Sequence, residues 1–202
     1  MRRNLVFALA LFATTAVLAA PATIRKGFNV SPGGTLKLDA GVGDVTIVTG
    51  GTGVAIELVQ GAADLQVDFK QSGNDVIVEA EHHNKWRFFD WDDDVKWNIR
   101  VPAQYNVDVR TSGGSIHTKR IGGNANLRTS GGGIKIEGAT GEVDARTSGG
   151  SIEVGDTDGE VEVRTSGGSI HIARTGGNVV ARTSGGSIRV EDARGAIDAK
   201  TS

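Results

Sequence analysis

From Arg110 onward the chain returns to itself every 18 residues: "RTSGGSI" opens at Arg110, Arg146, Arg164 and Arg182, "RTSGGGI" at Arg128, and "KTS" at Lys200. A fixed period of this size constrains the fold more than composition does, because every unit must offer its neighbours the same surface. After each glycine pair comes an alternating step: Ile116 and Thr118, Ile134 and Ile136, Ile152 and Val154, Ile170 and Ile172, Ile188 and Val190. A second step follows the glycine at 123, 141, 159, 177 or 195, as in Val143 and Ala145 or Val161 and Val163. Apolar residues at every second position, bounded by glycine, describe short strands with one buried face.

Two short strands per unit fit one coil of a narrow stack in which each strand pairs with its equivalent in the next coil. A lone coil buries too little to hold itself, so stacking must supply the stability. The expected fold is all-β, a single parallel β-solenoid (β-helix) with 18-residue coils, right-handed by the usual crossover rule. Alternation through Ala145 turns Thr147 inward and Arg146 and Ser148 outward, so that threonine hydroxyls would stack on one another along the axis. The glycine pair would supply the positive φ of a tight corner. Left-handed hexapeptide helices also use 18-residue coils but need an aliphatic residue every sixth position. Counting by six from Ile116 gives Gly122 and Arg128, which excludes them.

The first half is less regular. "GDVTIVTGGTGVAI" (43–56) aligns without gaps on "GSIEVGDTDGEVEV" (150–163), placing Val45, Ile47, Val54 and Ile56 on Ile152, Val154, Val161 and Val163. The stack is therefore expected to begin near residue 36 with degenerate early coils, and "DLQVDF", "NDVIVEA", "VKWNIRVP" and "YNVDVR" supply further strands. One domain results, 23–202, with the regular repeats at 110–202 and an irregular aromatic loop at 81–97. Ahead of it, "MRRN" followed by "LVFALALFATTAVLAA" has the grammar of a secretory signal peptide, 1–22, with cleavage after Ala19 or Ala22. The expected location is outside the cytoplasm: periplasmic, cell-surface or secreted, with no membrane span once the leader is removed. The absence of cysteine excludes disulfides, so packing alone must hold the domain.

A formal net charge of -2 gives no field that would favour nucleic acid, and no nucleic-acid partner is expected. Stacking would set Arg110, Arg128, Arg146, Arg164, Arg182 and Lys200 in one file about 4.8 Å apart. Neighbours in such a file repel by about 0.9 kcal/mol in water. The residues two and four places earlier supply six carboxylates to the same face, from Asp108 to Asp198, and this matches the six bases. The row reads as a compensated part of the construction rather than a polyanion site. His117 and His171 share a repeat position three coils apart, about 14 Å, too far to share a metal. The calcium-binding nonapeptide roll needs an Asp after the glycines, where this chain has "SI". No metal and no cofactor are expected.

The segment 81–101, "EHHNKWRFFDWDDDVKWNIRV", holds all three tryptophans and the only adjacent histidines. A loop of this kind caps the end or side of a repeat stack, or it contacts a partner. Trp86, Phe88, Phe89, Trp91 and Trp97 are the candidate contacts for an envelope glycan or protein. "DWDDD" resembles the start of an EF-hand loop, but Val95 stands where the turn glycine belongs and Val101 where the closing Glu belongs.

Taken together, early "GDVTI" and "GVAIEL" steps, an irregular loop, "VPAQYNVDVRTSGGSI" and glycine-punctuated repeats resemble the bacterial putative-adhesin family. These are β-strand-repeat domains of unknown function, akin to the solenoid heads of autotransporter adhesins. The resemblance spans about residues 34–202 and implies a β-solenoid at the bacterial envelope, with no catalytic residues to carry over. The expected function is a non-enzymatic envelope scaffold or adhesion-like binding module. The alternative is a carbohydrate-active β-helix enzyme using the 81–94 loop, with Glu81, His82, His83 and Asp90 to Asp94 as its non-repeating polar groups. "AKTS" stops where a turn should begin, which predicts either a longer natural array or end-to-end or edge self-association.

Overall fold

The computed structural model describes residues 22–60, 65–82 and 95–202. Regular structure among them is entirely strand. The first half supplies β1 (Ala22–Asn29), β2 (Thr35–Asp39), β3 (Asp44–Thr49), β4 (Gly53–Gln60), β5 (Leu65–Ser72), β6 (Asp75–His82) and β7 (Lys96–Val101). The repeats begin with β8 (Asn106–Thr111), β9 (Ile116–Thr118), β10 (Ala125–Thr129), β11 (Ile134–Ala139), β12 (Val143–Thr147) and β13 (Ile152–Thr157). They close with β14 (Val161–Thr165), β15 (Ile170–Thr175), β16 (Val179–Thr183), β17 (Ile188–Ala193) and β18 (Ile197–Thr201).

From Asn106 the 18-residue period is the coil. Each turn of chain gives one strand to each of two sheets, and equivalent residues pair in parallel register. Val107, Ala125, Val143, Val161, Val179 and Ile197 form one file, and Ile116, Ile134, Ile152, Ile170 and Ile188 form another. These side chains face inward, and all but those of the last coil are buried. The architecture departs from a single parallel solenoid. Two nine-stranded sheets, mostly parallel, face each other, ordered β1-β4-β7-β3-β9-β11-β13-β15-β17 and β18-β16-β14-β12-β10-β8-β2-β6-β5. At one end the pairs β1–β4, β4–β7 and β5–β6 are antiparallel.

The early coils do not stack in chain order either. β2 lies between β6 and β8, and β3 lies between β7 and β9, so the first coil made is enclosed by two made later. Val45 and Ile47 do join the inward file of Ile152 and Val154. Val54 and Ile56 are also buried, but β4 runs antiparallel to β1 and β7 in the first sheet rather than joining the file of Val161. The cause is local: Gly50 and Gly51 take φ of 121° and 113°, a region open to glycine, and reverse the chain after β3. β7 then fills the slot between β3 and β4.

The "RTSGG" corner is built differently from the expectation. Thr129, Thr147, Thr165 and Thr183 do turn inward and are buried. Each hydroxyl, however, donates to a glycine carbonyl of the coil before it, not to another hydroxyl. The acceptors are Gly114, Gly132, Gly150 and Gly168, all at 2.7 Å. The Gly150, Gly168 and Gly186 N–H groups in turn donate to Thr147, Thr165 and Thr183 at 3.3 to 3.4 Å. Nor do the repeat glycines take positive φ; every positive-φ glycine among the described residues lies between Gly33 and Gly73. A side chain is excluded by coil-on-coil approach instead. A Cβ at Gly149 would sit 2.7 Å from the Gly131 oxygen, and one at Gly150 would drive into the Gly132 carbonyl.

Candidate functional site

The second sheet ends along one long edge in the Arg-Thr-Ser row. Parallel pairing places Arg110, Arg128, Arg146, Arg164, Arg182 and Lys200 in a single file, with Asp39 opposite Arg110 at its head. Where β8, β10 and β12 end, a shallow groove opens. It is lined by the pairs Arg110–Thr111, Arg128–Thr129 and Arg146–Thr147 together with Ser130 and Ser148. The alternation of the strands explains its make-up: threonine turns in and clamps the previous coil, while the arginine before it and the serine after it turn out.

The charges along this edge are shared rather than free. Arg128 meets Asp144 at 3.3 Å and Arg146 meets the same Asp144 at 3.1 Å. Arg146 and Arg164 both reach Glu162, each at 2.9 Å, and Arg182 pairs with Asp198. Arg182 holds the Asp198 carboxyl below its usual range, chiefly through their hydrogen bond. Asn126 and Val180 stand where other coils carry Asp108, Asp144, Glu162 and Asp198, so Arg128 and Arg182 have no carboxylate on their own strand and reach that of the next one, Asp144 and Asp198. Arg110 has only a loose contact with Asp108 at 3.9 Å and keeps 56% of its side chain exposed. Surface pairs of this kind contribute about 0–1 kcal/mol each, so a ligand anion can exchange with them at little cost.

The opposite face, on the first sheet, carries its own ladder. His117 meets Glu137 at 3.2 Å and His171 meets Glu191 at 3.0 Å, with Lys135 and Glu153 in the file between the two histidines. Lys119, then His117, hold the Glu137 carboxyl below its usual range, and Arg174, with Arg120, does the same for Asp156. Among the described residues no three His, Asp or Glu side chains gather as a metal site. No helix there is long and apolar enough to cross a membrane.

Of the aromatic candidates, the structure places Trp97 in the core. Its ring is fully buried and its Nε1 donates to the Val42 carbonyl at 3.1 Å, so it packs the sandwich and offers no face to a ligand. Trp86, Phe88, Phe89 and Trp91 lie outside the described residues, as do His83, Asp90 to Asp94 and the expected leader up to residue 21. Glu81 is exposed on β6, paired in register with Gln66. The sequence shows the arginine row and reads it as a compensated part of the construction rather than a polyanion site; the groove across its first three coils is visible only in the structure. The six-against-six charge balance averages over coils; at Asn126 and at Val180 the carboxylate comes from the next coil instead.

A family profile described as Toastrack DUF4097 matches residues 34–202. The chain belongs to the Toastrack DUF4097 family. The Toastrack chain is also similar, at low identity, to several solved structures. A "putative cell adhesion protein" from Clostridium sporogenes is 14% identical with a TM-score of 0.45, covering 90% of this chain and 100% of that one. A "putative adhesin" from Bacteroides fragilis is 15% identical with a TM-score of 0.36, covering 90% and 97%. Another from Parabacteroides merdae is 13% identical with a TM-score of 0.34, covering 92% and 95%. No functionally curated protein matches this Toastrack chain.

Proposed function

We propose that this Toastrack protein is an exported, non-enzymatic module that works at the bacterial cell envelope as a scaffold and adhesion-like binding element. The observation that carries the reading is the Arg-Thr-Ser groove across β8, β10 and β12. A rigid edge there repeats one set of donors on successive coils about 4.8 Å apart. Guanidinium groups and hydroxyls in that array suit an extended envelope glycan that carries acidic groups, held by many weak contacts rather than one deep pocket. Threonine clamps on the inner side fix the spacing, so the partner meets a preformed surface.

The test is capture of envelope glycans by the purified protein, compared with the variant Arg128→Ala/Arg146→Ala. Binding should weaken by about tenfold or more, while both proteins melt within a few degrees of each other. Equal capture by both would refute the groove as the binding edge. Release of sugar fragments during incubation would refute the non-enzymatic reading.

A further inference from the structure

Apart from Thr118, the buried side-chain atoms that lack a hydrogen-bond partner among the described residues are Asp108 Oδ1, Asn126 Oδ1, Asp144 Oδ1 and Arg146 Nε. All four lie on β8, β10 and β12, the strands that carry the groove. The same file continues through Glu162, Val180 and Asp198, where no buried atom is left unmet. Buried polar groups are almost always paired, so a set of exceptions confined to one surface groove needs a cause.

The strands set out two parallel rows. Pairing in register places Asp108, Asn126 and Asp144 side by side, about 4.8 Å from coil to coil. Two residues further along each strand, about 6.6 Å away on the same face, run Arg110, Arg128 and Arg146. Arg110 Nε stands 3.9 Å from Asp108 Oδ1, beyond hydrogen-bond reach. Arg146 Nε stands 3.1 Å from Asp144 Oδ1 but without the alignment to donate. The guanidinium groups thus sit against these oxygens without satisfying them. One row needs a ligand's donors and the other its acceptors, and no simple anion offers both.

A uronic acid ring does. It carries a carboxylate on one side and vicinal hydroxyls on the other, so a single ring spans both rows. A chain of such rings advances about the height of one coil per ring. We propose that the groove's partner is a polyuronate, with Arg110, Arg128 and Arg146 holding its carboxylates and the Oδ1 atoms of Asp108, Asn126 and Asp144 accepting from its hydroxyls. The inference rests on the groove reading given above and names the sugar that reading leaves open. The arginine side chains are 33 to 56% exposed, so they can swing onto the ligand and uncover the oxygens beside them. Pairing those oxygens relieves a desolvation cost that the free protein bears, which favours the exchange. A polyphosphate supplies acceptors alone and would leave the Oδ1 row unmet.

Asn126→Val decides it. The change removes an acceptor without altering charge, and Val180 shows that a coil accepts valine at this place in the file. Polygalacturonate and inorganic polyphosphate, matched in charge and length, are titrated into the purified protein at one fixed ionic strength. The parent should prefer polygalacturonate. Asn126→Val should weaken that binding about fivefold and leave polyphosphate binding within about twofold. Should the valine disturb its coil, Asp108→Ala gives the same readout. Loss of its charge strengthens both polymers alike, so the ratio of uronate to polyphosphate affinity should still fall about fivefold. Equal losses on the two polymers, no loss on either, or a parent that prefers polyphosphate overturns the inference and leaves the groove reading standing. A parent that captures envelope glycans through Arg128 and Arg146 yet ignores polygalacturonate also overturns the inference alone. A parent that captures no glycan at all overturns both.

Discussion

Two buried threonines, Thr118 and Thr147, should respond to the same substitution with opposite sign. Thr118 stands in the inward file of the first sheet, between Ile47 and Ile136, with Val154 and Ile172 further along. It is fully buried and its hydroxyl has no hydrogen-bond partner among the described residues. Thr118→Val keeps the branched shape and removes the unmet polar group. An unsatisfied buried hydroxyl costs about 1–3 kcal/mol, so the valine protein should be more stable by about 1–2 kcal/mol. For a domain of this size that raises the melting temperature by about 2–8 °C. Thr147 is also buried, but its hydroxyl donates to the Gly132 carbonyl at 2.7 Å and accepts from the Gly150 N–H at 3.4 Å. Thr147→Val unties one coil from the next and leaves that carbonyl without its hydroxyl donor. The expected loss is about 1–2 kcal/mol, with the melting temperature down by a similar interval. Thermal melts and urea titrations on both variants check the pair, with an unchanged urea slope showing that stability alone has moved. A destabilised Thr118→Val, or shifts of equal sign at the two sites, would refute the account of which hydroxyl is satisfied.

The repeat glycines give a second contrast. Gly149→Ala places a Cβ 2.7 Å from the Gly131 oxygen and should cost about 1–3 kcal/mol in a melt, whereas Gly113→Ala, at the same position of the heptad, meets nothing within 4 Å and should fall within about 0.5 kcal/mol. The single tyrosine provides a third: burial, with some help from Asp75, pushes the Tyr105 phenol up to about 12 while its hydroxyl donates to the Asn74 carbonyl. The folded state therefore holds its proton above pH 10, where the unfolded chain releases it, so stability should be steady up to pH 10 and fall between pH 10 and about 12. An ultraviolet titration reads that phenol directly, and Tyr105→Phe should flatten the alkaline limb.

What the sequence made legible was everything that repeats. Inward files such as Ile134–Ile152–Ile170 follow from period-two alternation, and their register follows from the 18-residue spacing, because each coil can only match its equivalent. The inward turn of Thr147 came from the same alternation. The partner of its hydroxyl did not, because that depends on the offset between corners in adjacent coils. The glycines were recognisable as corners, but their reason was not: close backbone approach and positive φ both call for a missing side chain. In the first half the burial of Val54 and Ile56 was readable and their sheet was not. Once Gly50 and Gly51 turn the chain back, several apolar strands of equal quality compete for each edge. Trp97 shows the same limit at the candidate site. Grouped by sequence with Trp86 and Trp91, it sits instead at an inward position of β7, opposite Val45 and Leu58.

The enclosure of β2 and β3 by strands made later divides the molecule into a part that tolerates editing and a part that does not. Beyond β8 each coil touches only the coils beside it. Duplication or loss of a whole 18-residue unit there changes length and leaves every remaining contact of the same kind. Between β2 and β8 the same event would strand a coil that other segments must slot around. A slip of one residue is worse anywhere, since it would turn an entire inward file to solvent. Gene duplication can therefore lengthen this protein like a ruler, in steps of one coil, from a fixed and indivisible handle.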